Sequence, residues 1–503
     1  MRRMMFGVWL AVAAWAGAGI AGTDGDGRPA VRWRGFNLLG MFHENGRQPK
    51  FNEEDFKLIH ELGFNFVRLP MDYRFWIKDK NWEAIDEAAL APVDQAVAYG
   101  KKYGIHVQLC FHRAPGYTVA KPAEPRDLFT DAEALRVCRQ HWAFFARRYK
   151  GVPPSELSFN LFNEPGDIDA ARYAAVASAL VEAIRAEDPK RLIMADGLKW
   201  GRDPVPALFG LGIAQATRGY TPMSISHYRA SWVNVPDVPP EWPLAPRAFS
   251  PLYGSAKAPW NVPLVVADVP AGTRVTLEPG FVSGKATYIV EADGATVLEQ
   301  TLEPRVDDPD HWTNAVHKAE WNVTQGRYLG TLTGVLPQGT QKQNLSVRVA
   351  GDWAGVRGLT LTAMNGREAT ARLRFEDAWG KTNGVFRFAG FGAPGGSFIP
   401  PGGVQDGRAY LQKELIDAWR PAVDAGVFVM VGEFGAHNQT PHDITLAWLE
   451  DCLKLWKDNG WGWAMWNLTG SFGVLDSGRA DVAYEEFHGH QLDRKMLDLL
   501  LRY

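Results

Sequence analysis

Leu157-Ser-Phe-Asn-Leu-Phe-Asn-Glu-Pro165 and Val427-Phe-Val-Met-Val-Gly-Glu-Phe-Gly435 decide the fold of this chain. Each contains an apolar run too short for a helix and bounded by turn residues, which is how a parallel strand buried on both faces reads. Each run ends at a carboxylate, Glu164 in the first and Glu433 in the second. Chemistry in a parallel barrel is carried by the C-terminal ends of its strands. A lone Glu in such a place often closes a salt bridge or caps the next helix. Two of them, one directly preceded by Asn163, form a candidate catalytic pair.

Working outward, six further strand-like runs appear: Arg34–Leu39, Phe64–Leu69, Ile105–His112, Arg191–Asp196, Met223–Tyr228 and Trp461–Asn467. Between them, apolar residues recur at three- and four-residue spacing over 53–62, 93–103, 132–149, 170–186, 411–425 and 445–459, with a last such stretch at 493–501. Pro204–Leu211, rich in Pro and Gly, is the weakest helix of the series. Eight strand-then-helix units predict an α/β fold, a (β/α)8 TIM barrel.

One connection is far longer than a barrel needs. Between Tyr228 and Leu411 the pattern changes to period two, in seven short runs from Arg274–Glu278 to Gly384–Phe388 separated by turn residues. This predicts an all-β sandwich domain inserted after the sixth barrel strand, over 261–390, with the barrel built from 30–260 and 391–503. Loop tips on a rigid scaffold tolerate such insertions.

The chain has 503 residues, 46% hydrophobic and 22% charged, with a net charge of −3 and no long block of like charge. Nucleic acid and anionic membranes are therefore not expected partners. Residues 1–22 read as an export signal, with Arg2 and Arg3, an apolar stretch from Phe6 to Ile20 and small residues up to Gly22. A secreted or periplasmic protein with no membrane attachment after cleavage is expected. Cys110, Cys138 and Cys452, an odd count without short spacing, predict buried free thiols rather than a disulfide framework or zinc site. Twenty Trp, 14 Tyr and 26 Phe supply many flat faces of the kind that sugar rings stack against, although most must be core.

In chain order the strand ends present Asn37, Arg68, His112, Asn163 with Glu164, His227 with Tyr228, Glu433 and Trp466. Taken singly, a buried Arg, His or Trp at a strand end is as well explained by packing; the ordered set is not. The set resembles glycoside hydrolase family 5, the cellulase-like branch of the retaining barrel enzymes, over about Arg32 to Tyr503 apart from the insertion. Retaining cleavage needs one protonated carboxyl and one ionised carboxylate about 5 to 5.5 Å apart. The resemblance implies Glu164 as acid/base and Glu433 as nucleophile. It implies Arg68 and Tyr228 as partners of Glu433, His227 as a partner of Glu164, and Asn163 and His112 as binders of sugar hydroxyls. Trp466 would floor the reacting sugar. No metal and no cofactor is required.

The same resemblance leaves the substrate class broad. Asn37, Phe42, Tyr117, Trp200, Trp232 and Trp466 are the substrate-binding candidates. The leading expectation is a monomeric, secreted, retaining enzyme cleaving a β-linked polysaccharide or oligosaccharide, an endo-β-1,4-glucanase. The alternatives are an exo-acting glycosidase whose pocket the insertion shapes, and a carbohydrate-binding protein without catalysis. For the insertion, a wedge that shapes the cleft is preferred to a carbohydrate-binding module. Trp312, Trp321, Trp353 and Trp379 discriminate the two: exposed in a row for the module, buried for the wedge.

Overall fold

The computed structural model describes residues 32–44, 49–244, 246–254, 260–364, 369–391, 398–401 and 407–503. The expected export signal at 1–22 lies outside these residues. The chain divides into two compact units, Met1–Pro240 with Arg408–Tyr503, and Glu241–Gly407.

The first unit is a closed barrel of eight parallel strands: β1 (Arg34–Asn37), β2 (Phe66–Asp72), β3 (His106–Ala114), β4 (Leu157–Asn160), β5 (Leu192–Asp196), β6 (Ala214–Gly219), β7 (Val429–Phe434) and β8 (Gly462–Met465). Each pairs with its neighbour, and β1 closes the ring by pairing with both β2 and β8. Outside the strands lie α1 (Glu53–Glu61), α2 (Ala91–Tyr103), α3 (Ala132–Arg148), α4 (Ala170–Glu187), α5 (His442–Asp458) and α6 (Arg494–Arg502). Local chemistry starts them: the side chains of Asp131, Asp169 and Asp493 accept hydrogen bonds from first-turn N–H groups of α3, α4 and α6. The weak unit after β5 is a single 3-10 stretch, Pro206–Leu211.

One expected strand is corrected. The sixth barrel strand is Ala214–Gly219, whereas Met223–Ser226 is a short helical turn and His227 follows it. The true strand is built of Ala, Gln, Thr, Arg and Gly, small or polar residues that give no apolar run. Its Ala side chains leave room inside the barrel for larger neighbours.

The barrel interior is layered by the two-residue period of a strand. Phe66, Leu192, Met194, Ala214, Ala216, Met430 and Ala464 pack together with Trp33 as an apolar layer. Two residues further along β2, β5, β6 and beyond β8 stand Arg68, Asp196, Arg218 and Trp466. The apolar layer is thus the floor on which a polar layer rests at the strands' C-terminal ends.

The second unit is a sandwich of an eight-stranded and a six-stranded sheet. Its core includes Leu264, Val282, Tyr288, Trp312, Val347, Leu359 and Phe386. The unit takes in Arg247–Phe249 and Pro251–Leu252, outside the expected 261–390, because they pair with Thr370–Glu376 and Ala354–Thr362. Leu264–Pro270, Ala295–Leu302, Trp312–Lys318 and Val323–Tyr328 are strands that the period-two reading did not pick out.

Candidate active site

Glu164 lies four residues beyond β4 with φ at +48°, a left-handed conformation that costs a side-chain-bearing residue about 1–2 kcal/mol. Its backbone is held on both sides. Its N–H donates to Asp196 Oδ2 at 2.9 Å, and its carbonyl accepts from Tyr117 Oη at 2.7 Å. Asp196 ends β5 and is itself fixed, with Oδ1 accepting from Asn160 Nδ2 and its carbonyl accepting from Tyr173 Oη. Glu433 reaches the same space from β7. The strand is irregular there: its register shifts against β6 between Val431 and Glu433, and against β8 between Val431 and Phe434. An extra residue in a strand re-aims the side chains that follow it.

Two buried guanidinium groups organise this layer. Arg68 donates from Nη1 to Glu433 Oε1 at 2.6 Å and to Asn37 Oδ1 at 3.0 Å, from Nη2 to Asn163 Oδ1 at 2.7 Å and Cys110 Sγ at 3.0 Å, and from Nε to Asn160 Oδ1. Burial pushes the Cys110 thiol up to about 12, so it meets Arg68 as a neutral acceptor. Arg218, at the end of β6, donates from Nε to Glu164 Oε1 at 2.9 Å and from Nη2 to Asn163 Oδ1 at 2.9 Å and to Asp196 Oδ2. Its Nη2 also lies 3.5 Å from Glu433 Oε1. One guanidinium therefore touches both candidate carboxylates. Space for it is made by glycine: a Cβ on Gly432 would stand 2.8 Å from Arg218 Nη1, and one on Gly201 2.7 Å from its Cγ.

Electrostatics separate the two carboxyls. Burial, then the negative charge of Glu433, push the Glu164 carboxyl from its ordinary 4.5 up to about 7, against the pull of Arg218. With Glu164 protonated, two guanidinium charges face the carboxylates of Glu433 and Asp196, and the cluster balances. Glu433 also accepts from Tyr220 Oη at 3.2 Å through its second oxygen.

Asn163 is oriented by this cluster. Both arginines donate to its Oδ1, which fixes the amide and leaves Nδ2 buried and without a hydrogen-bond partner among the described residues. His112 likewise keeps a buried, unpartnered Nδ1. Burial and the nearby arginines hold its imidazole well below the ordinary histidine range, so the ring is neutral. Its ring centre lies 4.4 Å from that of Phe42 and 6.0 Å from that of Trp466, and Phe42 and Trp466 are 5.2 Å apart, an aromatic corner beside the polar layer.

Other expected residues are placed differently. The phenol against Glu433 belongs to Tyr220 and the side chain on Glu164 to Arg218, not to Tyr228 and His227. Tyr228 interacts through its hydroxyl with Asp237 and carries the Arg229 guanidinium over its ring, while its carbonyl meets His437 Nδ1. His227 meets Ser226 Oγ at 2.9 Å and packs its ring 4.8 Å from that of Tyr220. The misplacement follows from the missed sixth strand: Arg218-Gly-Tyr220 stands at its end, where His227-Tyr228 was sought. Asn37 is no substrate binder, since Nδ2 donates to backbone carbonyls of Gly432, Ala464 and Met465 and Oδ1 takes Arg68. The Tyr117 hydroxyl is likewise used within the protein, accepting from the Gly166 N–H as well as bracing Glu164. Trp200 and Trp232 are exposed. The Trp200 N–H donates to the Pro165 carbonyl, which sets that ring beside the Glu164 loop. Arg218, Asp196 and Tyr220 were the residues the sequence reading missed; Asp196 ends a recognised strand run and was legible there.

Residues 23–210 match the family model described as Cellulase (glycosyl hydrolase family 5). Endoglucanase C of Acetivibrio thermocellus is 30% identical over 208 residues, which is 39% of this chain and 60% of the relative. Endoglucanase 3 of Fibrobacter succinogenes is 24% identical over 226 residues, 41% of this chain and 33% of the relative. The chain thus spans about three fifths or less of the length of these curated relatives. Among solved structures, one titled "Crystal Structure of a glycoside hydrolase" covers 94% of this chain and 99% of its own, at 25% identity and a TM-score of 0.58.

Proposed function

From the premise that this is a cellulase-like barrel of glycoside hydrolase family 5, we propose that the chain is a secreted, retaining glycoside hydrolase of β-linked polysaccharide, an endo-β-1,4-glucanase. The observation that carries the reading is the pair of carboxyls joined through Arg218, one pushed up to about 7 and the other ion-paired to Arg68. Such an inequality between neighbouring carboxyls is what sorts acid from nucleophile.

Glu433 attacks the anomeric carbon, with its charge met by Arg68 and its second oxygen steadied by the Tyr220 hydroxyl. Glu164 gives its proton to the leaving oxygen and then, as a carboxylate, takes one from the water that releases the sugar. Asn163 Nδ2 donates to the 2-hydroxyl, a bond that strengthens as positive charge builds on the ring. The neutral His112 ring reads a second hydroxyl, and Phe42 with Trp466 present flat faces to the sugar undergoing substitution. Trp200, beside the Glu164 loop, lies on the leaving-group side.

The test is chemical rescue together with product analysis. Glu433→Ala abolishes turnover and is revived by azide with inversion at the anomeric carbon, while Glu164→Ala retains hydrolysis of aryl glycosides with good leaving groups. Rescue of Glu433→Ala with retention reverses the assignment. Internal cutting of soluble cellulose derivatives supports the endo reading; release of single sugars from the first time point rejects it.

A further inference from the structure

The inserted unit carries a cleft of its own. It has a volume of about 1080 Å³ and is formed entirely by residues between Ser250 and Gly380. Its position follows from strand alternation. On Arg274–Ser283, Phe281 and Ser283 line the cleft, and on Val323–Tyr328, Val323, Gln325 and Arg327 do so. Val282, between Phe281 and Ser283, faces the other way and belongs to the sandwich core. Gly280 and Gly355 also line it, and a Cβ on Gly280 would meet the Gly355 backbone at 3.2 Å. Part of the floor thus lacks side chains, which hollows it.

The lining has the chemistry of a sugar-chain groove. Trp321 stands on the turn between Trp312–Lys318 and Val323–Tyr328, and is 62% exposed; Trp379, beyond Thr370–Glu376, is 54% exposed, and Trp260 43%. Tyr253 and Trp353 hold Trp379 in place, with ring centres 6.1 and 4.6 Å from it at steep angles. The Tyr253 hydroxyl accepts from the Gly380 N–H at 2.7 Å, fixing the same turn. Large aromatics left this exposed and gathered around a hollow, with Trp379 held by its neighbours, mark a binding surface. The charged lining consists of Arg327 and Arg357 against Asp352 and Asp377, two of each sign, so neither dominates. That mixture disfavours nucleic acid, which asks for positive charge throughout, and suits a neutral ligand rich in hydroxyls. The volume lies just above the range of about 300–1,000 Å³ for small-molecule sites, enough for several sugar units. Trp312 belongs to the core and Trp353 is half-buried, so the four tryptophans expected to act alike divide, and the exposed ones lie on this cleft.

We propose that the insertion is a carbohydrate-binding module whose cleft, flanked by Trp321 and Trp379, holds a segment of β-linked polysaccharide chain independently of the barrel site. The choice of β-linked chains rests on the function proposed above; the existence of the cleft does not.

The test uses the full chain in native gels containing hydroxyethylcellulose, galactomannan or arabinoxylan, with Glu433→Gln in every sample so that the polymer stays intact. At least one polysaccharide retards the chain, and Trp321→Ala with Trp379→Ala weakens that retardation about tenfold or more, while Trp321→Phe with Trp379→Phe recovers part of it. In the background with Glu433 restored, the alanine pair hydrolyses aryl glycosides within about twofold of the parent, since neither tryptophan is among the residues that carry the proposed chemistry. A melting curve that overlays the parent's shows the alanine pair folded. Retardation by none of the three polymers, or retardation equal in parent and alanine pair, overturns the proposal. So does a parallel fall in aryl glycoside hydrolysis. Should the parent hydrolyse no aryl glycoside, the catalytic reading fails while the gels still decide this one.

Discussion

Replacing Glu164 by Gln should stabilise the protein at pH 8 and leave it unchanged at pH 4. The folded carboxyl sits at about 7 against an ordinary 4.5, so the fold prefers it protonated. Stability from this group is full below about 4.5 and is lost as pH rises through about 7, where the folded site must accept a charge that solvent would hold more cheaply. The interval corresponds to about 3 kcal/mol, and the side chain is only 17% exposed, so solvent relieves little of it. Gln is neutral at every pH and can still accept from Arg218 Nε, which makes it a mimic of the protonated state. At about 2 °C per kcal/mol for a large domain, the melting temperature of Glu164→Gln minus that of the parent should grow by about 6 °C between pH 4 and pH 8. The same titration should set the basic limb of kcat/KM in the parent near pH 7. An equal difference at both pH values, or a variant less stable at pH 8, would refute the electrostatic account of the site.

Tyr220→Phe, which deletes the bond to Glu433, should lower kcat about ten- to a hundredfold on aryl glycosides, whereas Tyr228→Phe should stay within about twofold; equal losses would return the role to Tyr228. Arg218→Met removes a positive charge beside Glu164 and should move the basic limb of the pH profile upward by about one pH unit or more. It should also lower the melting temperature by stranding buried Asp196, and a limb that stays in place or moves downward contradicts the arrangement. Trp312→Ala should destabilise the sandwich by about 3–5 kcal/mol, seen by calorimetry as a loss confined to one transition while aryl glycoside turnover persists.

The barrel was legible where its strands are made of bulky apolar residues. β7 announces itself because Val429–Phe434 is apolar apart from Gly432 and Glu433, and β4 because Phe159, Leu161 and Phe162 carry an apolar run past Ser158 and Asn160 up to Asn163-Glu164. β6 was illegible for the opposite reason: Ala214, Ala216 and Thr217 are small, and Arg218 reads as a surface residue until Glu164, Glu433 and Asp196 are known to surround it. Nearby Met223–Tyr228 offered the alternation of a strand and the His-Tyr pair of the family pattern, and both cues were local accidents. Asn37 was recognised as a strand-end polar group, but only the hydrogen-bond geometry shows its amide bridging three strands instead of meeting a ligand. In the insertion, period two identified the buried strands, such as Leu359–Ala363. It missed Trp312–Lys318, much of which is exposed and polar.

In the retaining mechanism proposed above, Arg218 sits between two chemical events that have to stay in step. The negative charge of Glu433 is, after burial, the chief influence raising the proton affinity of Glu164. In that proposed mechanism the charge is gone once Glu433 is esterified by a sugar, while the guanidinium between the two positions keeps its own. Glu164, having surrendered its proton, then has less reason to recover one and waits as a base for water. When the ester is cleaved the charge on Glu433 returns, and with it the affinity that reloads Glu164. On this proposal the two carboxyls run as a two-stroke engine, the charge state of one setting the protonation of the other.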